Sequence, residues 1–174
     1  FHLGIFVLSG VVLAATWWRI QHASLPAWSP RRERNAALGL FALGAFTTFR
    51  YVPVFAGMAA GDALTAEFAA DPSMFWAIFF LDLGVVVPVS FGVGLGLLRG
   101  TGWARRAVYG VAGWYVLVPV SVVAMGTAMV LNDDPHAAAG TVGFLSVAAV
   151  AFTVFAVWVV RPLFGRADGA AGSP

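Results

Sequence analysis

The chain reads as an all-α integral membrane protein, a bundle of five transmembrane helices with a cytoplasmic C-terminus. Three observations carry that reading. Met74 to Leu98 is a run of 25 residues with a single ionisable side chain, Asp82; about 20 residues of α-helix cross the hydrocarbon core of a bilayer. Apolar residues make up 60% of the chain and Asp, Glu, Lys and Arg only 10%, against roughly 45–50% and 25% in a soluble domain. The segments between the apolar runs alternate in charge.

The first span covers about residues 3–20 and ends in Trp17-Trp18-Arg19, an aromatic anchor followed by a charge that snorkels. Ser29-Pro30 starts the second helix, Ser as N-cap and Pro at the first helical position, where its missing N–H is not needed. Arg31, Arg32, Glu33 and Arg34 fall in a wet first turn, and the apolar part runs over about 36–60. The acidic link 62–71, in which Leu64, Glu67 and Phe68 suit a brief interfacial helix, ends in Asp71-Pro72 and launches the span 74–98. A tight turn from Arg99 to Gly102 leads to the span 105–131, and Asn132-Asp133-Asp134-Pro135 to the span 137–160. Arg161-Pro162 stops that helix. Residues 1–164 thus form the bundle, and 165–174, rich in Gly, Ala and Pro, a disordered tail. Phe1 begins directly in apolar sequence, so a helix ahead of it would make six spans.

Arginines populate the links after the first and third spans and the C-terminal segment, while the two other links carry Asp62, Glu67, Asp71, Asp133 and Asp134. The positive-inside rule puts the arginine links and the C-terminus in the cytoplasm of a plasma-membrane protein. With no cysteine or lysine in the chain, thiol chemistry, thiolate metal sites and lysine Schiff bases are excluded. A net charge of +2 without a basic tract argues against nucleic acid. The partners expected are the lipid bilayer and either further membrane subunits or a second copy of the chain.

Arg50 and Asp82 are the sharpest chemical signal. A charge in the bilayer core is costly and turns toward the bundle and a partner. At ~1.5 Å per residue, Arg50 lies about 21 Å from Ala36 and Asp82 about 12 Å from Met74, so both fall in the outer half at matched depth. Full burial of such a pair would make loss of either partner cost roughly 3–5 kcal/mol. Tyr51, Trp76 and Asn132 are candidate polar edges of an outer cavity. Pro53, Pro88 and Pro119 interrupt three consecutive spans, each freeing a carbonyl one turn earlier and permitting a kink beside the pair. On a continuous helix Gly57 and Gly61 share the Arg50 face and Gly96 the Asp82 face, so the motifs Gly57/Gly61 and Gly92/Gly96 are candidate sites of close helix packing. Val87-Pro88-Val89-Ser90 and Val118-Pro119-Val120-Ser121 form a faint internal echo.

His2, His22 and His136 are scattered, and no metal site, haem ligand pair or other cofactor motif is found. Nothing matches a nucleophile elbow, a zinc helix or a phosphate loop. The expected function is a solute or ion transport component with an outward-facing cavity near the Arg50–Asp82 pair. The alternatives are an accessory subunit of a larger membrane complex and an intramembrane enzyme using a carboxylate.

Overall fold

The structure is a computed structural model that describes residues 2–61, 68, 72–133 and 139–164. The acidic link apart from Phe68, His136 and the C-terminal tail lie outside the described residues. The described part is helical throughout, with no strand. In chain order the helices are α1 (His2–Gln21), α2 (Pro30–Phe49), α3 (Val52–Ala60), α4 (Pro72–Phe79), α5 (Val87–Leu98), α6 (Gly102–Leu131) and α7 (Ala139–Val160); a π-helical segment, Phe80–Val86, joins α4 to α5. Four continuous stretches are long and apolar enough to cross a membrane: Pro30–Ala60, Pro72–Leu98, Gly102–Leu131 and Gly140–Leu163.

Local chemistry explains the boundaries. Ser29 accepts the Arg32 N–H on its Oγ at 3.3 Å and Pro30 follows as the first helical residue, so α2 begins with a capped turn. The α5–α6 corner is a Schellman closure. The Thr101 N–H reaches back to the Gly96 carbonyl at 2.9 Å and the Gly100 N–H to the Leu97 carbonyl at 3.0 Å. Gly100 adopts φ +67°, a conformation that a residue with Cβ resists. This corner folds the start of α6 directly onto Gly96.

Two of the three prolines break their helices. Pro53 has no N–H to continue the α2 ladder, and α2 stops at Phe49; Arg50 and Tyr51 form a turn before α3 resumes. Pro88 lies two residues beyond the π segment, in which the Val87 N–H bonds the Asp82 carbonyl. A ring at position 88 collides with the carbonyl four residues back in α geometry, and the wider i→i+5 turn makes room for it. Pro119 is accommodated inside an uninterrupted α6. The Val-Pro-Val-Ser echo therefore has no structural counterpart: Ser90 is fully buried and Ser121 is exposed.

The core is graded along the bundle. Its fully buried residues, Ala36, Ala37 and Leu40 of α2, Val93 and Leu97 of α5, Ala104, Val108 and Ala112 of α6 and Val159 of α7, all sit toward the end that bears the arginines. Beyond Tyr115, α6 has no buried residue, and neither does α3. Burial is thus concentrated at one end of the bundle and thins toward the other. From Val7 to Trp18, α1 is exposed on every side and barely joins this core.

The arginine end is closed by contacts that the sequence did not suggest. Glu33, placed in a wet first turn by its neighbours, is only 6% exposed. Arg105 Nε donates to its Oε1 at 2.5 Å. Arg32 lies between the rings of Trp28 and Trp158 and donates to the Trp158 carbonyl, and Trp28 Nε1 donates to the Tyr109 hydroxyl at 3.1 Å. Three chain segments, 28–33, 105–109 and 158, are thereby tied into one layer. The guanidinium carbon is thus covered by indole faces while one of its nitrogens, Nη2, donates to a carbonyl.

Candidate functional site

The two helix breaks face each other. Arg50 and Tyr51 occupy the α2–α3 turn and Asp82 the π segment. Tyr51 Oη donates to Asp82 Oδ2 at 2.6 Å, Arg50 Nη1 stands 4.0 Å from the same oxygen, and Arg50 Nη2 reaches the Tyr51 hydroxyl at 3.5 Å. The guanidinium also stacks over the Tyr51 ring, 5.1 Å from its centroid. Tyr51 is buried at 4% exposure. The Asp82 side chain is 14% exposed and that of Arg50 48%. Tyrosine, not arginine, is therefore the tight partner of the carboxylate; the ion pair itself is loose.

Next to this cluster lies a cavity of about 60 Å³ enclosed by α2, the π segment, α6 and α7. A site of this size holds water-sized guests, since ~10–15 Å³ suffices for one water. Arg50, Asp82, Thr47, Trp114 and Tyr115 line it, with Pro119 and apolar side chains of α6 and α7 completing the wall. Thr47 spends its hydroxyl on the Leu43 carbonyl at 3.0 Å. Below, the Tyr115 hydroxyl and Ser90 Oγ are 3.1 Å apart, and Ser90 also bonds the Val86 carbonyl at 2.7 Å. Tyr115, which lines the cavity, is thereby tied to the buried Ser90 of α5.

Of the residues singled out from the sequence, Arg50, Asp82 and Pro119 line the cavity and Tyr51 holds Asp82 from behind. Pro53 and Pro88 act at one remove, by creating the breaks that present Arg50 and Asp82. Trp76 sits instead in an aromatic cluster with Phe68, Phe75 and Phe79, and Asn132 is exposed, its Nδ2 turned onto the Ala128 carbonyl. The glycines divide as well. Gly96 is buried against Ala104, Thr101 and Trp103, whereas Gly61 and Gly92 have nothing within 4 Å of a Cβ position, and Gly57 is half-buried. The assignment of Gly57 and Gly61 to the Arg50 face assumed an unbroken helix; the turn at Arg50-Tyr51 resets the phase. Close approaches occur at Gly39 on Phe155, Gly44 on Phe91, Gly94 on Phe41 and Gly126 on Val142.

Helical phase places Thr47 on the Arg50 face, and it lines the cavity; sequence reasoning missed Tyr115, for which the available signal was its depth on the following span. Among the described residues no three His, Asp or Glu side chains converge as a metal centre requires, and the cavity lining contains no histidine and one carboxylate.

The geometry revises the energetics of the pair. The 3–5 kcal/mol expected for a fully buried pair does not apply, because Arg50 is half-exposed and 4.0 Å from its partner. Arg50→Gln is expected to cost about 1 kcal/mol or less. Tyr51→Phe, which removes a short hydrogen bond to a carboxylate, is expected to cost about 2 kcal/mol. Thermal melting of the two variants in detergent checks the order; a larger loss for Arg50→Gln would show that the ion pair, not the tyrosine, holds the carboxylate.

No family model, curated protein or solved structure matches the chain.

Proposed function

We propose that the protein is a multi-pass membrane protein that serves as a solute or ion transport component, with its cavity between α2, the π segment, α6 and α7 as the binding site. The observation that carries this reading is the coincidence of two helix breaks, a loose Arg50–Asp82 pair and a cavity beside them. Irregular backbone at membrane depth is tolerated where it is buried in protein or lines a wet path, and ionisable residues there mark such paths. Paired broken helices facing a midplane site are how transporters present ligands. An intramembrane enzyme needs an acid and a base or nucleophile in concert, and one carboxylate without a histidine does not supply them.

In this reading α1 is a fifth span that meets lipid on nearly all sides, the arginine-bearing end faces the cytoplasm of a plasma membrane, and the cavity opens toward the other side. The absence of cysteine makes both parts testable. Val122 lines the cavity and Val157 is exposed on the bundle exterior. Silver ion, close to water in size, is expected to react from outside with Val122→Cys and not with Val157→Cys; a silent Val122→Cys would remove the wet path. Single cysteines replacing Ser24 and Thr101 are expected to resist an impermeant thiol reagent in intact cells, and those replacing Ala66 and His136 to react. The reverse pattern would invert the orientation.

A further inference from the structure

We propose that the cavity takes a small monovalent anion on Arg50, and that it does so only when Asp82 takes a proton, so that anion and proton move together. The inference rests on the transport reading above and names its substrate class.

The cation at the site has bonding capacity to spare. Asp82 Oδ2 already accepts the Tyr51 hydroxyl at 2.6 Å. The guanidinium, with five N–H donors, makes only the 3.5 Å contact to that same hydroxyl among the described residues, and stands 4.0 Å from the carboxylate. Its attachment at the α2–α3 turn and its stacking on the Tyr51 ring hold it beside the cavity rather than against Asp82. The lining hydroxyls spend their hydrogens elsewhere, Thr47 on the Leu43 carbonyl and Tyr115 in its pair with Ser90, which leaves the guanidinium as the charged donor for an anion. A cavity of about 60 Å³ has room for an ion the size of chloride or nitrate, the latter a planar match to a guanidinium fork.

Charge then fixes the coupling. With Arg50 positive and Asp82 negative the site is neutral; an anion added alone would leave one uncompensated negative charge among apolar walls, which is disfavoured. Protonation converts the carboxylate to a carboxylic acid that remains hydrogen-bonded to Tyr51, and the anion replaces it as the counter-charge of Arg50. The site stays neutral in both states, and one proton accompanies one anion. Among the described residues, Tyr51 is bonded to Asp82 and the ionisable groups that line the cavity with it are Arg50 from the α2–α3 turn and Tyr115 from α6; the α7 lining is Leu145, Ala148 and Phe152, and the π segment has no other ionisable group.

The test uses the full chain in liposomes enclosing a pH-sensitive dye. Chloride and nitrate serve as probes, since anions of strong acids do not carry protons through lipid unaided. An inward gradient of either is expected to acidify the lumen without generating a current. The half-saturating anion concentration is expected to fall about tenfold for each pH unit lowered while the anion-free carboxylate is ionised. Asp82→Asn should abolish acidification and flatten the pH dependence, and Arg50→Gln should abolish anion uptake; if Arg50→Gln does not fold, Arg50→Lys should retain coupling at weaker affinity. Anion current without protons, or acidification persisting in Asp82→Asn, would overturn the proposal. Transport of sodium or potassium with chloride and nitrate immobile, or no ion flux in a protein whose Val122→Cys reacts with silver, would overturn it while leaving the transport reading in place. Silent liposomes together with an unreactive Val122→Cys would overturn both.

Discussion

Gly96→Val is expected to lower stability by about 3 kcal/mol, while Gly92→Val, one helical turn away in the same Gly-x-x-x-Gly motif, costs close to nothing. A Cβ on Gly96 would stand 2.7 Å from Ala104 Cβ and 2.9 Å from both Thr101 Oγ1 and Trp103 Cζ2. None of these walls yields easily. Ala104 is completely buried, and Thr101 is held by two bonds to the Gly96 carbonyl, one from its N–H and one from its hydroxyl. Relief requires opening the α5–α6 corner, which positions every later residue of α6 at the cavity. Position 92 meets nothing within 4 Å. Replacing glycine there also recovers a few tenths of a kcal/mol of helix propensity. The difference between the two melting temperatures in detergent is the measurement. Equal losses would mean that the corner is not the tight contact.

The second large effect is an asymmetry at the arginine end. Arg105→Gln is expected to cost about 2 kcal/mol, and Glu33→Gln less than 1 kcal/mol. The pair is the same 2.5 Å contact in both cases, but its members sit differently. The Glu33 side chain is 8% exposed and cannot leave its place inside the bundle, so losing the guanidinium strands a buried carboxylate. The Arg105 side chain is 44% exposed and swings into water when Glu33 is neutralised. Because Arg105 is so exposed, most of the loss is the desolvation of Glu33 rather than lost Coulomb attraction. Combining the two substitutions should recover most of what Arg105→Gln loses, a coupling that a double-mutant cycle reads directly. Additive losses would show that the two side chains do not depend on each other.

Composition and run length determined that the chain is all-helical with several helices long enough to cross a bilayer, and local residues determined where many of them start and stop. Ser29-Pro30 caps and opens α2, Gly100 turns the α5–α6 corner, and Pro53 and Pro88 interrupt the ladders in which Arg50 and Asp82 stand out as charges in apolar sequence. Which face of each helix looks inward was a different matter. In a soluble protein, polar residues mark the outer face; here the interior and the exterior are equally apolar, so Leu40 at no exposure and Leu38 at 56% exposure look alike in the sequence. Extrapolating helical phase from Arg50 failed for Gly61 because the turn at 50–51 shifts the register, whereas Gly96, placed on the Asp82 face, is buried. Glu33 reads as one more solvated charge until α6 brings Arg105 against it. Tyr51 reads as a cavity edge until the turn aims its hydroxyl at Asp82. Only the tertiary structure decided these, because each depends on two breaks and one corner placing helices whose own surfaces carry no inward mark.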